Sequence, residues 1–145
     1  MRAVLEGLIG RLAARRIRPE QLDRLRTVVK KMHAIKRAFD AAAYYPLNVE
    51  FHQILAEAAG NRALLANYRR VVNELDLHRR EMLTRSAEVI PVSTTEHEAI
   101  LGAIAKRDEK LAERLLHEHV IESRERLHRA LAKPPARGAK ASRAA

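Results

Sequence analysis

The 145-residue chain contains no cysteine, which excludes disulfides, thiolate metal sites and cysteine nucleophiles. It has no uninterrupted run of about 18 apolar residues, the length that a membrane-spanning helix requires. No signal-peptide pattern opens it, because Arg11, Arg15 and Arg16 interrupt the apolar residues. Glycine and proline are scarce, with five of each. We therefore expect one cytoplasmic domain without a membrane partner, long enough to bury a core.

A composition rich in Ala, Leu, Arg and Glu favours an all-α fold. Apolar residues recur at three- and four-residue intervals, which is the helical period. Together with caps and breaks, this pattern predicts six helices. They cover about 2–15, from Pro19 to about 36, 41–59, 62–85, from Ser93 to about 107, and from Asp108 to about 132.

Two places in this pattern need a specific expectation. Pro46 lies inside the third helix, where it removes one backbone hydrogen bond, so we expect a kink or a restart there. Residues 86–92 contain Pro91 and predict a loop. Ser93 and Glu96 have the spacing of a capping box, which predicts that the fifth helix begins at Ser93 with Glu96 as the reciprocal partner.

The net charge of +10 arises from 28 basic and 18 acidic residues. Four of the basic residues lie in the Ala/Pro-rich segment 133–145, which has no acidic residue and too little apolar surface to offset its ordering entropy. We expect a disordered basic tail there and a solvated basic surface elsewhere. Nucleic-acid binding through the tail is the alternative, and it would be salt-dependent and blind to sequence.

Asn48 and His52 are four residues apart, so they face the same side of one predicted helix. His97 and His119 fall on the two helices that follow the predicted loop. Three imidazoles and one amide oxygen meeting inside a helical bundle would form a divalent-metal site. The alternative is that these histidines only pack in the core. His78 lies in an apolar stripe and is expected either in the core or as the wall of a pocket.

Taken together, the motifs resemble the FCD family, the C-terminal effector-binding domain of one branch of GntR-type bacterial transcription regulators. The resemblance covers about residues 2–130. The matching positions are Arg2, Leu5, Glu6, Asn48, Phe51, His52, Gly60, Asn61, Glu96, His97, Ile100, Ala103, Asp108, Ala112 and His119.

This resemblance implies a single antiparallel bundle of six to seven helices with a central metal site. The family's ligands are one Asp and three His, and the matching residues are Asn48, His52, His97 and His119. Zinc or nickel is the expected metal. Asn48 is a departure from the family pattern, because an amide oxygen can coordinate a metal but brings no negative charge. We therefore expect a small carboxylate effector to complete the site.

The expected function is ligand sensing and dimerisation by residues 1–132 within a transcription regulator. Arg2 and His78 are the residues we expect to hold the other end of the effector. Family members bind DNA through an N-terminal winged-helix domain, and residues 1–145 show no helix-turn-helix with a β-hairpin, so we expect DNA binding only through such a domain outside this sequence. The alternative is a metal-dependent, hydrolase-like enzyme that uses the three histidines. We expect no enzymatic activity, because Glu96 is the sole candidate base and is assigned to a cap.

Overall fold

The computed structural model describes residues 1–133, which form six α-helices, one short 3₁₀ helix and no strand. The predicted all-α fold is therefore confirmed. The helices are α1 (Arg2–Arg16), α2 (Pro19–Ile35), α3 (Ala41–Ala58), α4 (Arg62–Arg85), α5 (Ile90–Ala105) and α6 (Glu109–Ala132). Apart from Lys133, the predicted basic tail lies outside the described residues. Within residues 1–133, no helix combines the length and the apolarity needed to cross a bilayer.

Helix boundaries follow the predicted caps at four positions. Asp40, Asn61 and Asp108 each accept a hydrogen bond on the side chain from the backbone N–H three residues further on. Gly60 follows α3 with φ of +62°, the left-handed conformation that glycine adopts without a steric cost. The predictions for the bounds of α3, α4 and the start of α6 are confirmed by these contacts.

The predicted start of the fifth helix is wrong. α5 begins at Ile90, three residues before Ser93, and Pro91 occupies its first turn, where a missing N–H costs nothing. A 3₁₀ helix, Ala87–Val89, and the first three residues of α5 occupy all of the segment predicted as a loop except Ser86. Ser93 and Glu96 therefore lie inside α5, and the predicted capping box does not form.

A single helix, α3, runs through Pro46. The expected restart is therefore not seen. Pro46 lies in the second turn, so its missing N–H removes one bond near the start of the helix. Tyr44 and Tyr45 beside it are buried, so tertiary packing holds this segment helical.

α1 and α6 pack closely against each other through small residues. A Cβ atom added at Gly10 would lie 2.7 Å from the Ala112 carbonyl oxygen, and one added at Gly7 would lie 3.3 Å from the Cβ atom of His117. Ala112 is fully buried. These small residues let the backbone of α1 approach α6 and bring one face of α1 into the middle of the bundle.

Two arginines fix the ends of α1 and α3. Arg107, in the left-handed conformation after α5, donates hydrogen bonds to the carbonyl oxygens of Ala14, Arg15 and Ile17. Arg16 donates to the carbonyl oxygen of Ala59 at 2.8 Å. Both guanidinium groups satisfy carbonyls that a helix end leaves without an internal partner, and they add a favourable charge there.

We predict that Gly10→Ala lowers the free energy of unfolding by about 1–3 kcal/mol, because the added methyl group meets backbone that cannot rotate away. Gly102→Ala in α5 is the matched control, since a Cβ atom there meets nothing within 4 Å. It should raise stability by about 0.5–1 kcal/mol. Urea denaturation followed by circular dichroism measures both. A Gly10→Ala protein as stable as the Gly102→Ala protein would contradict the close approach.

Candidate metal centre

Three histidines from three helices meet in the core of the bundle. His52 of α3, His97 of α5 and His119 of α6 each have one ring nitrogen within 4.8 Å of the others. Their exposed fractions are 2%, 0% and 4%. The Phe51 ring packs edge-on against His97 with 4.6 Å between ring centroids, which fixes the orientation of that imidazole. The structure therefore brings together the three histidines that the sequence singled out.

Each of these imidazoles has an oxygen acceptor at its Nδ1 atom. The distance from Nδ1 is 2.5 Å to Glu6 Oε2 for His52, 2.6 Å to the carbonyl oxygen of Ser93 for His97, and 2.6 Å to Glu96 Oε2 for His119. A carbonyl or an ionised carboxylate can only accept, so we place the proton of each ring on Nδ1. The three Nε2 atoms are then left with lone pairs.

The Nε2 atoms of His52 and His97 lie 3.3 Å apart. With both protons on Nδ1, no hydrogen bond joins these two atoms, so two buried lone pairs face each other without a donor. A divalent ion between them would satisfy both. Two nitrogens bound to zinc at about 2.0–2.1 Å lie about 2.9–3.4 Å apart in octahedral or tetrahedral geometry. The donor set and its spacing therefore fit a metal ion.

Burial keeps the imidazoles of His52 and His97 in the form that binds metal. It lowers the pKa of His52 to about 4, although Glu6 opposes the shift. Burial, with the other two histidines, also holds the pKa of His97 well below its usual range. Both rings are consequently neutral near pH 7, and a neutral imidazole offers a lone pair without first losing a proton.

Glu6 and Glu96 supply the negative charge around the cluster. Burial alone would raise the pKa of each carboxyl group. For Glu6, the neighbouring His52 and Arg2 outweigh burial and hold the pKa well below its usual range. For Glu96, hydrogen bonds from His119 and Arg126 lower the pKa. Two ionised carboxylates behind the imidazoles orient them and increase their basicity as ligands.

Neither role was predicted from the sequence. Glu6 was noted as part of the family resemblance, without a role at the site. The sequence signal for Glu6 was its position three residues before Ile9 and seven before Ala13, which places it on the buried face of α1. A lone charge on a buried face needs a partner. Glu96 was assigned to a capping box, and instead it accepts hydrogen bonds from His119 and, at 2.7 Å, from Arg126.

The other predicted site residues lie around a cavity of about 430 Å³ beside the cluster. Asn48, 9% exposed and one turn before His52, lines this cavity. Arg2 also lines it and binds Glu6 at 2.7 Å. His78 is exposed at the edge of the cavity, so the expectation that it is a core residue is wrong. The other expectation, that His78 forms part of a pocket wall, remains a prediction.

The rest of the cavity wall is largely apolar and comes from α1, α3, α4, α5 and α6. Its described lining contains no aspartate or glutamate. Apolar contributions include Val71, Leu75, Met82, Leu83, Val120 and Leu127. Ser93, whose carbonyl oxygen binds His97, also lines the wall. The cavity is therefore a basic and apolar space that adjoins the histidine cluster through Asn48 and Ser93.

We predict that His52→Ala abolishes tight zinc binding, whereas Glu6→Gln weakens it by about 10- to 100-fold, because the amide removes the charge behind His52. Glu57→Gln, at a half-buried position of α3 that pairs with Arg69 away from the histidines, is the matched control and should bind zinc as the parent does. Competition titration against a zinc indicator measures all three. Equal affinity for Glu6→Gln and the parent would rule out a role for Glu6 at the metal.

Comparisons with known proteins give one family. The family model for the FCD domain matches residues 1–122. The repressors NanR of Cronobacter sakazakii and of Escherichia coli, described as HTH-type transcriptional repressors, are 33% and 32% identical to the chain over 124 and 123 residues. These matches cover 83% of the chain and 46% and 45% of the two repressors. The chain thus spans less than half the length of these curated relatives.

A solved structure agrees with this assignment. The GntR protein of Streptococcus agalactiae superposes with a TM-score of 0.65 at 27% sequence identity, over 86% of the chain and 54% of that protein. The fold and the sequence therefore lead to the same group of regulators. The chain belongs to the FCD family and is an effector-binding domain of the type found in GntR transcription regulators.

Proposed function

We propose that the domain senses a small carboxylate effector through a bound divalent metal, zinc or nickel. His52, His97 and His119 supply three neutral nitrogen ligands and Asn48 supplies an amide oxygen. The observation that carries the proposal is the buried cluster of three imidazoles, each with an oxygen acceptor beside Nδ1, which leaves the Nε2 lone pairs free to bind an ion. A site built from imidazole and amide ligands suits zinc, nickel and copper more than magnesium or calcium.

The carboxylate class of the effector follows from charge. Three imidazoles and an amide leave the full +2 on the metal, since none of these ligands is anionic. The adjoining cavity adds Arg2 and no described acidic residue. A carboxylate that enters the cavity would neutralise part of this charge and complete the coordination of the metal.

The response of a regulator would arise from the helices that share the cavity. Met1 and Arg2 of the α1 end line it together with residues of α4 and α6. An effector that binds one arrangement of these helices more tightly shifts the population toward it. We propose that this shift in helix positions changes the DNA affinity of a winged-helix domain joined ahead of α1. The regulator would act in the cytoplasm, where its operator DNA lies.

Residues 1–132 then form the effector-binding and dimerisation domain, and residues 133–145 a basic tail. A homodimer is proposed because two-fold regulators match two-fold operators. The enzyme alternative is not supported. Among residues 1–133, the carboxylates beside the histidines are both engaged, Glu96 by His119 and Arg126 and Glu6 by His52 and Arg2. The relatives named above are repressors and a regulator, which agrees with the prediction that the chain is not an enzyme.

We predict that Asn48→Asp tightens zinc binding about tenfold or more, because the carboxylate adds a charged ligand. It should also reduce the gain in zinc affinity that acetate provides to the parent. Asn73→Asp, an exposed position on α4, adds the same charge away from the site and should leave both quantities unchanged. Isothermal titration of zinc with and without acetate measures them. If acetate has no effect on the parent and Asn48→Asp changes nothing, the proposed role of the effector is wrong.

A further inference from the structure

Arg79 of α4 is a half-buried cation that faces the cavity without an anionic partner. Within residues 1–133 its guanidinium makes no ion pair and no hydrogen bond, and it lies 6.0 Å from the centroid of the Tyr45 ring. Three other arginines of α4 are more exposed and each pairs with an acidic side chain. These pairs are Arg69 with Glu57, Arg70 with Glu74, and Arg80 with Asp76. Arg62 and Arg85, near the two ends of α4, make no ion pair within residues 1–133 either, but of the six arginines of α4 only Arg79 lines the cavity.

The local charge around Arg79 is not balanced by Glu6. That carboxylate already binds the guanidinium of Arg2 at 2.7 Å and approaches His52 Nδ1 within 2.5 Å. Burial and the charge of Arg2 lower the pKa of Arg79 below its ordinary value. Two guanidinium groups thus share one carboxylate, and a positive charge remains at this side of the cavity. A partly desolvated charge of this kind is stabilised by an anion that brings its own hydrogen-bond acceptors.

The cavity has two partly buried places for negative charge, since of its other arginines Arg2 is paired with Glu6 and Arg124 of α6 is exposed to solvent. One adjoins the histidine cluster at Asn48, and the other is the guanidinium of Arg79. Aliphatic side chains such as Val71, Leu75 and Met82 line the space around them. A single anionic group can satisfy only one of the two places. A molecule with an anionic group at each end and an apolar middle would satisfy both and match the aliphatic part of the lining.

We propose that the effector is a dicarboxylate with a short aliphatic chain, whose first carboxylate reaches the metal and whose second is bound by Arg79. This inference rests on the proposed function and adds the second anionic group to it. A guanidinium presents two parallel N–H donors to a carboxylate, so the second group is recognised by geometry as well as by charge. Arg79 takes the role that the sequence had given to Arg2 and His78.

The test compares dicarboxylates with monocarboxylates of the same chain length. Succinate, glutarate and adipate, and butyrate, pentanoate and hexanoate, are titrated calorimetrically into the full chain loaded with zinc. The parent should bind at least one dicarboxylate about 10- to 100-fold more tightly than its monocarboxylate partner, the range expected for a charge-assisted pair. Arg79→Gln should remove this preference, and Arg79→Lys should restore part of it. Arg70→Gln, which is 80% exposed on the same helix, should keep it.

The outcomes separate this inference from the proposed function. A zinc-dependent binding of both classes, with no preference for dicarboxylates in the parent, overturns the role of Arg79 and leaves the metal sensor intact. A preference that survives in Arg79→Gln also overturns it. Binding of dicarboxylates that is lost in Arg79→Gln but is unchanged when zinc is removed supports Arg79 and contradicts the proposed metal sensor. Absence of binding by all six acids overturns both.

Discussion

The oxygen acceptors beside the Nδ1 atoms of three buried histidines determine what the centre of this bundle can do. Each ring has two nitrogens, and an oxygen acceptor at Nδ1 requires the proton to be there. Once Glu6, Glu96 and the Ser93 carbonyl occupy those positions, the three Nε2 atoms carry lone pairs, and those of His52 and His97 lie 3.3 Å apart. Without these acceptors the same rings could hydrogen-bond among themselves and would simply be a polar core. The acceptors therefore distinguish a ligand set from packing.

The packing of α1 against its neighbours places Glu6 beside the histidine cluster. Glu6 is on α1, and it reaches His52 because α1 approaches its neighbours closely through the small residues Gly10 and Ala112. A buried carboxylate is costly unless it is paired, and Arg2 together with His52 provides that pairing. The backbone contact and the charged group thus depend on each other. Four helices, α1, α3, α5 and α6, contribute to one site, and a shift of any of them changes its charge or its geometry.

Much of the fold was predictable because its signals are local. Helical periodicity, the caps at Asp40, Asn61 and Asp108, and Gly60 after α3 each depend on a few neighbouring residues. The three histidines were predicted from spacing and resemblance. The role of Glu96 was missed because its partners, His119 and Arg126, are 23 and 30 residues away, and a capping box explained it locally. Arg79 has no sequence signal, since only the cavity distinguishes it from the paired arginines of α4.

The account depends most directly on three imidazole nitrogens sharing one ion. X-ray absorption at the zinc K-edge, on the full chain with one equivalent of zinc and no added carboxylate, measures the ligands themselves. We predict a first shell that contains about three imidazole nitrogens at about 2.0–2.1 Å, with the outer scattering of the rings. A shell of oxygen atoms without imidazole scattering would contradict the account, and the histidines would then be a buried polar cluster that packs the core.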